Sequence, residues 1–280
     1  MTLTDPDTAA PAPSTPRAPG DSAPRWGRRA RGAAGSIVLG ALVPVLFVLV
    51  WQILATSGEF SPSQLPTPGA VLAALVELVT RGELWQHIAI STQRVLLGFA
   101  AGAGFGLVLG GVVGLSRPVR ALLAPSIQAL RAVPSLAWVP LLLLWLGIGE
   151  TPKIVLVAIG AFFPVYTTVS AALAHVDRHL VEVGRAYGRS GVRLFLQVQL
   201  PAIAPAALSG LRLGLAQGWL FLVAAELIAS SIGLGFLLID SQNTGRTDIL
   251  LLAIVLLAVI GKVTDGLLGL AERRLLRRWS

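Results

Sequence analysis

An all-α, polytopic membrane helix bundle is the fold class this sequence predicts, on three observations. Of its 280 residues 54% are hydrophobic and 13% charged, a mixture too apolar for an ordinary soluble domain of this length. The apolar residues are gathered into runs that approach the roughly 20 residues needed to cross a bilayer. The charge, 22 Lys and Arg against 14 Asp and Glu, sits between those runs rather than in one patch, so it marks sidedness instead of a nucleic-acid surface. There is no Cys, which excludes a disulfide framework, a thiol nucleophile and Cys-ligated metal, and His87, His175 and His179 are too scattered to form a metal cluster.

About six transmembrane helices are expected. Residues 1–35 form a tail whose first part, rich in Pro, Ala, Ser and Thr, has too little apolar surface to offset the entropy of ordering. Its basic end (Arg25, Arg28, Arg29, Arg31) precedes a first span over 36–56. That run superficially resembles a signal peptide, but its length and Trp51 near its end suit a retained helix. Residues 57–93 read as an external loop with short helices, the Leu65-Pro66-Thr67-Pro68-Gly69 turn leading into one over Ala70–Thr80. A core of 94–272 follows, with spans over Arg94–Leu115, Pro134–Leu146, Ile154–Ala174, Ala206–Ile228 and Ile249–Leu270. Pro134 and Pro140 make the Pro134–Leu146 run the one most open to bending or shortening. Residues 273–280 are a basic C-terminus.

In the second span Gly98, Gly102, Gly106, Gly110 and Gly114 recur every four residues, so one helical face lacks side chains and admits another helix closely. Six crossings put both termini on one side. Taking that side as cytoplasmic collects there the N-terminal arginines, Arg117, Arg120, Arg131, Arg178, Arg185, Arg189, Arg193 and the C-terminal four, against Arg81, Arg94, Lys153 and Arg246 outside.

Catalytic motifs are missing. Gly147–Lys153 has the outline of a phosphate loop, but Pro152 stands where glycine precedes the lysine and Ile154 where Ser or Thr would hold magnesium; Gly261-Lys262 fails similarly. The informative stretch is Asp177–Gly191 within a polar loop, 177–201. Asp177 can cap a short helix that Gly188 and Gly191 help to end. Arg178 and Arg185 bracket Glu182 on one face, and Leu180, Val183 and Tyr187 make an apolar stripe on the next. Such a helix can rest one face on the bundle and offer another to a partner.

The spacing of Glu182, Val183, Gly184, Gly188, Val198, Leu200 and Pro201 resembles the cytoplasmic Glu-Ala-Ala loop of the permease subunits of binding-protein-dependent ABC importers. Val183 and Gly184 replace its two alanines, and Val198 its isoleucine. Leu65-Pro66-Thr67-Pro68, Gly82-Glu83-Leu84 with Arg94, Val133–Leu141, Gly147–Glu150, Phe163-Pro164, Trp219 with Ala225-Glu226, and Gly233-Leu234-Gly235 resemble the nitrate, sulfonate and taurine branch. Tyr187-Gly188-x-Ser190-Gly191 and Gly261-Lys262-x-x-Asp265 look most like its aliphatic sulfonate members. The resemblance implies the type I importer permease fold, a homodimer in the bacterial inner membrane, two cytoplasmic ATPase subunits that hold the ATP and Mg, and an external substrate-binding protein. It also implies that this chain has no catalytic site or cofactor of its own. Glu182, Gly184, Arg185, Tyr187, Gly188 and Pro201 would belong to the coupling helix and its loop, with Glu182 anchoring the ATPase and Tyr187 filling an apolar pocket.

Three intramembrane polar residues are further candidates, since a charge in lipid is costly unless paired or facing water. Lys262 and Asp265 are expected to neutralise one another; Glu226 has no obvious partner on its own helix and suits a gate or interhelical bond at the outer mouth; Arg212 is expected to snorkel. Trp138, Trp145 and Trp219 are path-lining or interfacial. Other readings are a permease for taurine, nitrate or another small organic anion, and, outside the family, a secondary transporter or a membrane scaffold.

Overall fold

The computed structural model describes residues 42–134 and 137–277, a set of helices joined by turns. The described residues divide into two units, with the boundary between Trp51 and Gln52. The predicted tail and the first residues of the predicted first span lie outside the described residues; helix α1 is described over Leu42–Thr56. The rest of the chain forms α2 (Pro68–Thr80), α3 (Glu83–Leu115), α4 (Arg117–Arg131), α5 (Trp138–Leu146), α6 (Glu150–Ala174), α7 (Arg178–Ala186), α8 (Gly191–Leu194), α9 (Leu200–Ala229), α10 (Leu234–Thr244) and α11 (Thr247–Leu276).

The glycine ladder is the axis of this unit. Gly98 faces Ile154 and Val157, Gly106 faces Phe162 and Val165, and Gly114 faces Ser170 and Leu173, so α3 and α6 run parallel in close contact. A Cβ on Gly98 would lie 2.6 Å from Val157 Cβ, and one on Gly102 would enter the Ala158 peptide itself. All five glycines, Gly98, Gly102, Gly106, Gly110 and Gly114, thus lie against α6. On the other side of α6, Gly210 packs on Thr168, Gly214 on Ala161 and Gly218 on Val157, which makes α9 antiparallel to it. Buried Val95, Val157, Leu215, Trp219 and Leu222 fill the space between α3, α6 and α9. Trp219 is thus neither path-lining nor interfacial: its indole N–H donates to Thr264 Oγ1 of α11 at 3.0 Å.

Among the described residues four helices are long and apolar enough to cross a membrane, over Glu83–Leu115, Glu150–Ala174, Gly191–Ile228 and Thr247–Leu276, where about six were expected. The second starts at Glu83 rather than Arg94, because Gly82 in the left-handed conformation (φ 73°) closes α2 and launches α3 directly. The expected span over Pro134–Leu146 is replaced by a broken passage. Chain progress ceases to be helical after Arg131, where Pro134 disfavours helix in the residue before it. Pro140 does no harm, because in the first turn of α5 its missing N–H would have had no partner. With nine residues, α5 is about 14 Å long. Since α3 and α6 are parallel, α4, the break and α5 together return the chain from one end of the bundle to the other.

The fifth run also starts earlier than expected. Helix continues from Gly191 through a π-helical turn at Phe195–Gln199 into α9. Pro201 explains the widened turn: it cannot donate to the carbonyl four residues back, and its ring would strike it.

Helix α2 starts at Pro68 with Thr67 as its cap, Oγ1 accepting from the Ala70 N–H at 3.2 Å. It is tied to the turn before α11 through Glu77, which takes Arg246 at 2.7 Å and Arg81 at 2.6 Å. The hydrogen bond from Arg246 holds the Glu77 carboxyl below the usual carboxylate range. A depressed folded-state pKa adds stability above the unfolded value, near pH 4.3, that is lost as pH falls through the folded one. Wild-type protein should therefore melt higher than Glu77→Gln at pH 6, and the two Tm values should converge toward pH 3.

Candidate functional site

Two groups of polar residues stand out against the apolar bundle, one at each end. At the end where α6 stops and α9 begins, Asp177 caps α7 by accepting from the His179 N–H at 2.8 Å. Gly188, at φ 73°, closes it: the Gly188 N–H donates to the Arg185 carbonyl at 2.8 Å and the Arg189 N–H to Gly184 at 3.1 Å. The helix rests on the bundle through Gly184, the one buried residue of α7. A Cβ there would lie 2.7 Å from Leu194 Cδ1 and 3.0 Å from Val198 Cγ2. An alanine there, as in the family pattern, would require the ends of the Leu194 and Val198 side chains to shift.

The rest of α7 is open. Leu180 is 48% exposed, Val183 54% and Tyr187 80%, with Glu182 and Arg185 exposed beside them. The arrangement of Glu182 differs from expectation. Neither Arg178 nor Arg185 pairs with it; His179 Nδ1 lies 3.9 Å away, and the carboxylate otherwise faces outward. Both arginines are exposed, and an acidic group and an apolar stripe are left free for a partner. Pro201 lies beyond, in the first turn of α9, where it shapes the connection rather than the open face.

At the other end lies a buried ion cluster that the sequence reading did not assemble. Arg94, 1% exposed, holds Glu150 with Nε at 2.5 Å and the neighbouring terminal nitrogen at 2.6 Å, a bidentate pair. Its other terminal nitrogen donates to Glu226 at 2.7 Å and to the Ile232 carbonyl at 2.7 Å. Lys153, also buried, reaches Glu150 at 3.0 Å. Fully buried Glu226 also accepts from Ser91 Oγ at 2.8 Å and from the Gly235 N–H at 2.8 Å. Ser91 in turn accepts from the Leu234 N–H, and the Gly233 N–H donates to His87 Nδ1 at 3.0 Å. Two cations meet two carboxylates, so the cluster is neutral.

This corrects one expectation. Arg94 and Lys153 are not external loop charges but buried members of α3 and α6. Glu226, expected as a gate or interhelical bond at the outer mouth, bonds to Arg94 and Ser91 of α3. Gly233-Leu234-Gly235 is the strap over its carboxylate: a Cβ on Gly233 would sit 2.5 Å from the Glu226 carboxyl, and φ 133° is open only to glycine. The clue in the sequence is that both cations have apolar i+4 neighbours, Gly98 and Val157.

Lys262 and Asp265 do lie within ion-pair distance, but Lys262 is not the main partner of Asp265. Asp265 takes a bidentate grip from Arg212 at 2.8 and 2.9 Å, while Lys262 stays 3.9 Å away and 83% exposed. Arg212 therefore does not snorkel; it fastens α9 to α11 and also reaches Glu272 at 3.4 Å.

Comparison with known proteins agrees with this architecture. The sequence profile described as "Binding-protein-dependent transport system inner membrane component" matches residues 102–277. SsuC of Bacillus subtilis (strain 168), named as an aliphatic sulfonates transport permease protein, is 42% identical over 85% of this chain and 86% of its own. The protein of the same name from Escherichia coli (strain K12) is 45% identical over 85% and 90%. The taurine transport system permease protein TauC of E. coli is 38% identical over 86% and 88%. In fold, the chain resembles a subunit of the MetNI methionine ABC transporter in an inward-facing form, with TM-score 0.57 and 21% identity over 74% of this chain and 98% of that one. This chain therefore belongs to the binding-protein-dependent inner-membrane components, as a permease subunit of an ABC importer in the branch of the sulfonate and taurine permeases.

Proposed function

We propose that this permease forms the translocation path for aliphatic sulfonates and that α7 is the lever through which the ATPase subunits move it. The open face of α7 carries the reading: Glu182, Val183 and Tyr187 are exposed, while Gly184 clamps the helix to α8 and thus to the long rod of α9. A push on that face is passed to a helix that traverses the bundle. Arg185 borders the face, and Gly188 sets where the lever ends. ATP and Mg belong to the partner ATPases, whose closure this chain converts into alternating access.

The working assembly in this reading is a homodimer with two cytoplasmic ATPases and an external binding protein. Each copy crosses six times, α1 being the first crossing and the broken α4–α5 passage the third. The end of the bundle bearing α7, Arg117, Arg120, Arg178, Arg185, Arg189, Arg193, Arg273 and Arg274 faces the cytoplasm, as the excess of basic residues favours. Both termini share that side.

The test is a reconstituted complex of permease, ATPases and binding protein. Wild type is expected to take up alkanesulfonates, and Glu182→Gln and Tyr187→Ala to lose about tenfold or more of binding-protein-stimulated ATPase activity and uptake at equal assembly. Unchanged stimulation in both variants removes the lever role. Uptake of taurine or nitrate in strong preference to alkanesulfonates removes the substrate assignment; taurine is the second reading, favoured by the likeness to TauC.

A further inference from the structure

The break in the return passage opens a cavity of about 510 Å³ between the end of α4, the middle of α6 and the middle of α9. Arg131, Thr167, Thr168, Gln217, Phe163 and Phe221 are among its lining residues. Arg131 was expected among the cytoplasmic charges, but it lies at the far end of α4, about 20 Å along that helix from the end that carries Arg117. Pro164 and Gln217, both in the same lining, stand midway along α6 and α9. The cavity is therefore at the central depth of the bundle. Irregular backbone at that depth persists where protein buries it or where it borders water, and polar side chains there face the interior or an aqueous path.

The donors in this cavity are few. Thr167 and Thr168 each spend their single hydroxyl hydrogen on α6 carbonyls, Phe163 at 2.8 Å and Pro164 at 2.7 Å, so they offer lone pairs only. The side chains of Arg131 and Gln217, by contrast, have no hydrogen bond or ion pair to any described residue. The lining holds no carboxylate. It thus presents one fixed positive charge, one amide and a set of apolar side chains.

We propose that this cavity is a transit site for the sulfonate head group, held by Arg131 and Gln217, with the alkyl tail against Phe163 and Phe221. The inference rests on the aliphatic sulfonate reading and deepens it. A sulfonate is a permanent anion with three acceptor oxygens and no hydrogen to donate, which matches a planar guanidinium and an amide N–H₂. Two donors rather than a full cage hold the anion loosely enough to let it leave, as conduction requires. The ammonium of taurine meets no acidic partner here, so the cavity selects the simple alkanesulfonate over the zwitterion of similar size.

Uptake of ethanesulfonate and of taurine by the reconstituted complex, each measured with the binding protein saturated, tests this. Arg131→Gln should lower ethanesulfonate uptake about tenfold or more, and Arg131→Lys should recover a substantial part of it. Gln217→Glu should cut ethanesulfonate uptake and move the taurine-to-ethanesulfonate ratio at least fivefold toward taurine, a change that loosened packing does not produce. If Arg131→Gln fails to assemble, the ratio in Gln217→Glu decides. An unchanged ratio in Gln217→Glu, or full ethanesulfonate uptake by assembled Arg131→Gln, overturns the site. A wild-type complex that carries no ethanesulfonate overturns the substrate reading instead.

Discussion

Arg94→Ala is expected to destabilise the permease by about 3–5 kcal/mol, the usual cost of removing one partner from a buried ion pair. The residue left behind decides the size. Glu226 has no exposed surface, and Arg94 is its one cationic partner among the described residues. Glu150 suffers less, because half of it is exposed and Lys153 remains at 3.0 Å. Melting of purified protein in detergent should fall by about 10 °C. Arg94→Met combined with Glu226→Gln should recover much of the loss, since the orphaned charge is then gone while Ser91 and Gly235 still bond the amide oxygen. A single variant that melts with wild type shows that the cluster carries no stability. Arg94→Lys should fall between, because an ammonium cannot grip Glu150 with two nitrogens and reach Glu226 with a third.

Gly102→Val should be at least as damaging, by a different route. A Cβ at Gly102 would lie 2.8 Å from both the carbonyl carbon and the Cα of Ala158, and closer still to its oxygen. These are backbone atoms in the middle of α6, so no side chain can rotate out of the way. The two helices must separate, which takes the neighbouring contacts of Gly98 and Gly106 with them, at about 3 kcal/mol or more. The expected result is loss of assembled complex on gel filtration. Gly104→Ala is the control: its Cβ would meet nothing within 4 Å, and helix propensity favours alanine by about 1 kcal/mol. Equal yields of Gly102→Val and Gly104→Ala would show that close approach of α3 and α6 is dispensable.

The pattern of success and failure in the sequence reading follows from how far each feature reaches along the chain. Asp177, Gly188 and the stripe Leu180–Val183–Tyr187 act within a dozen residues, so caps and periodicity place α7 nearly to the residue. The glycine ladder is equally local in origin, because a four-residue repeat makes one bare face on any helix. The expected bracket of Arg178 and Arg185 about Glu182 shows the limit of such spacing: long side chains on an exposed helix gain little from pairing in water, and neither arginine pairs with it. The apolar run around Pro134 and Pro140 shows another, since composition suggests a span whereas the proline positions cut it to nine residues.

From the amino-acid order alone come the membrane bundle, the apolar face that packs α3, the short capped helix α7 and the family, because each is encoded in neighbours a few residues apart. Tertiary structure decided who neutralises whom. Arg94 and Glu226 are 132 residues apart and Arg212 and Asp265 are 53 apart, so their pairing depends on the direction and rotation of separate helices. It also decided the depth of Arg131, because only the parallel course of α3 and α6 obliges the intervening chain to climb through the bundle. Hydropathy measures how much a segment prefers lipid; it carries no information on which face of a helix its few charges occupy.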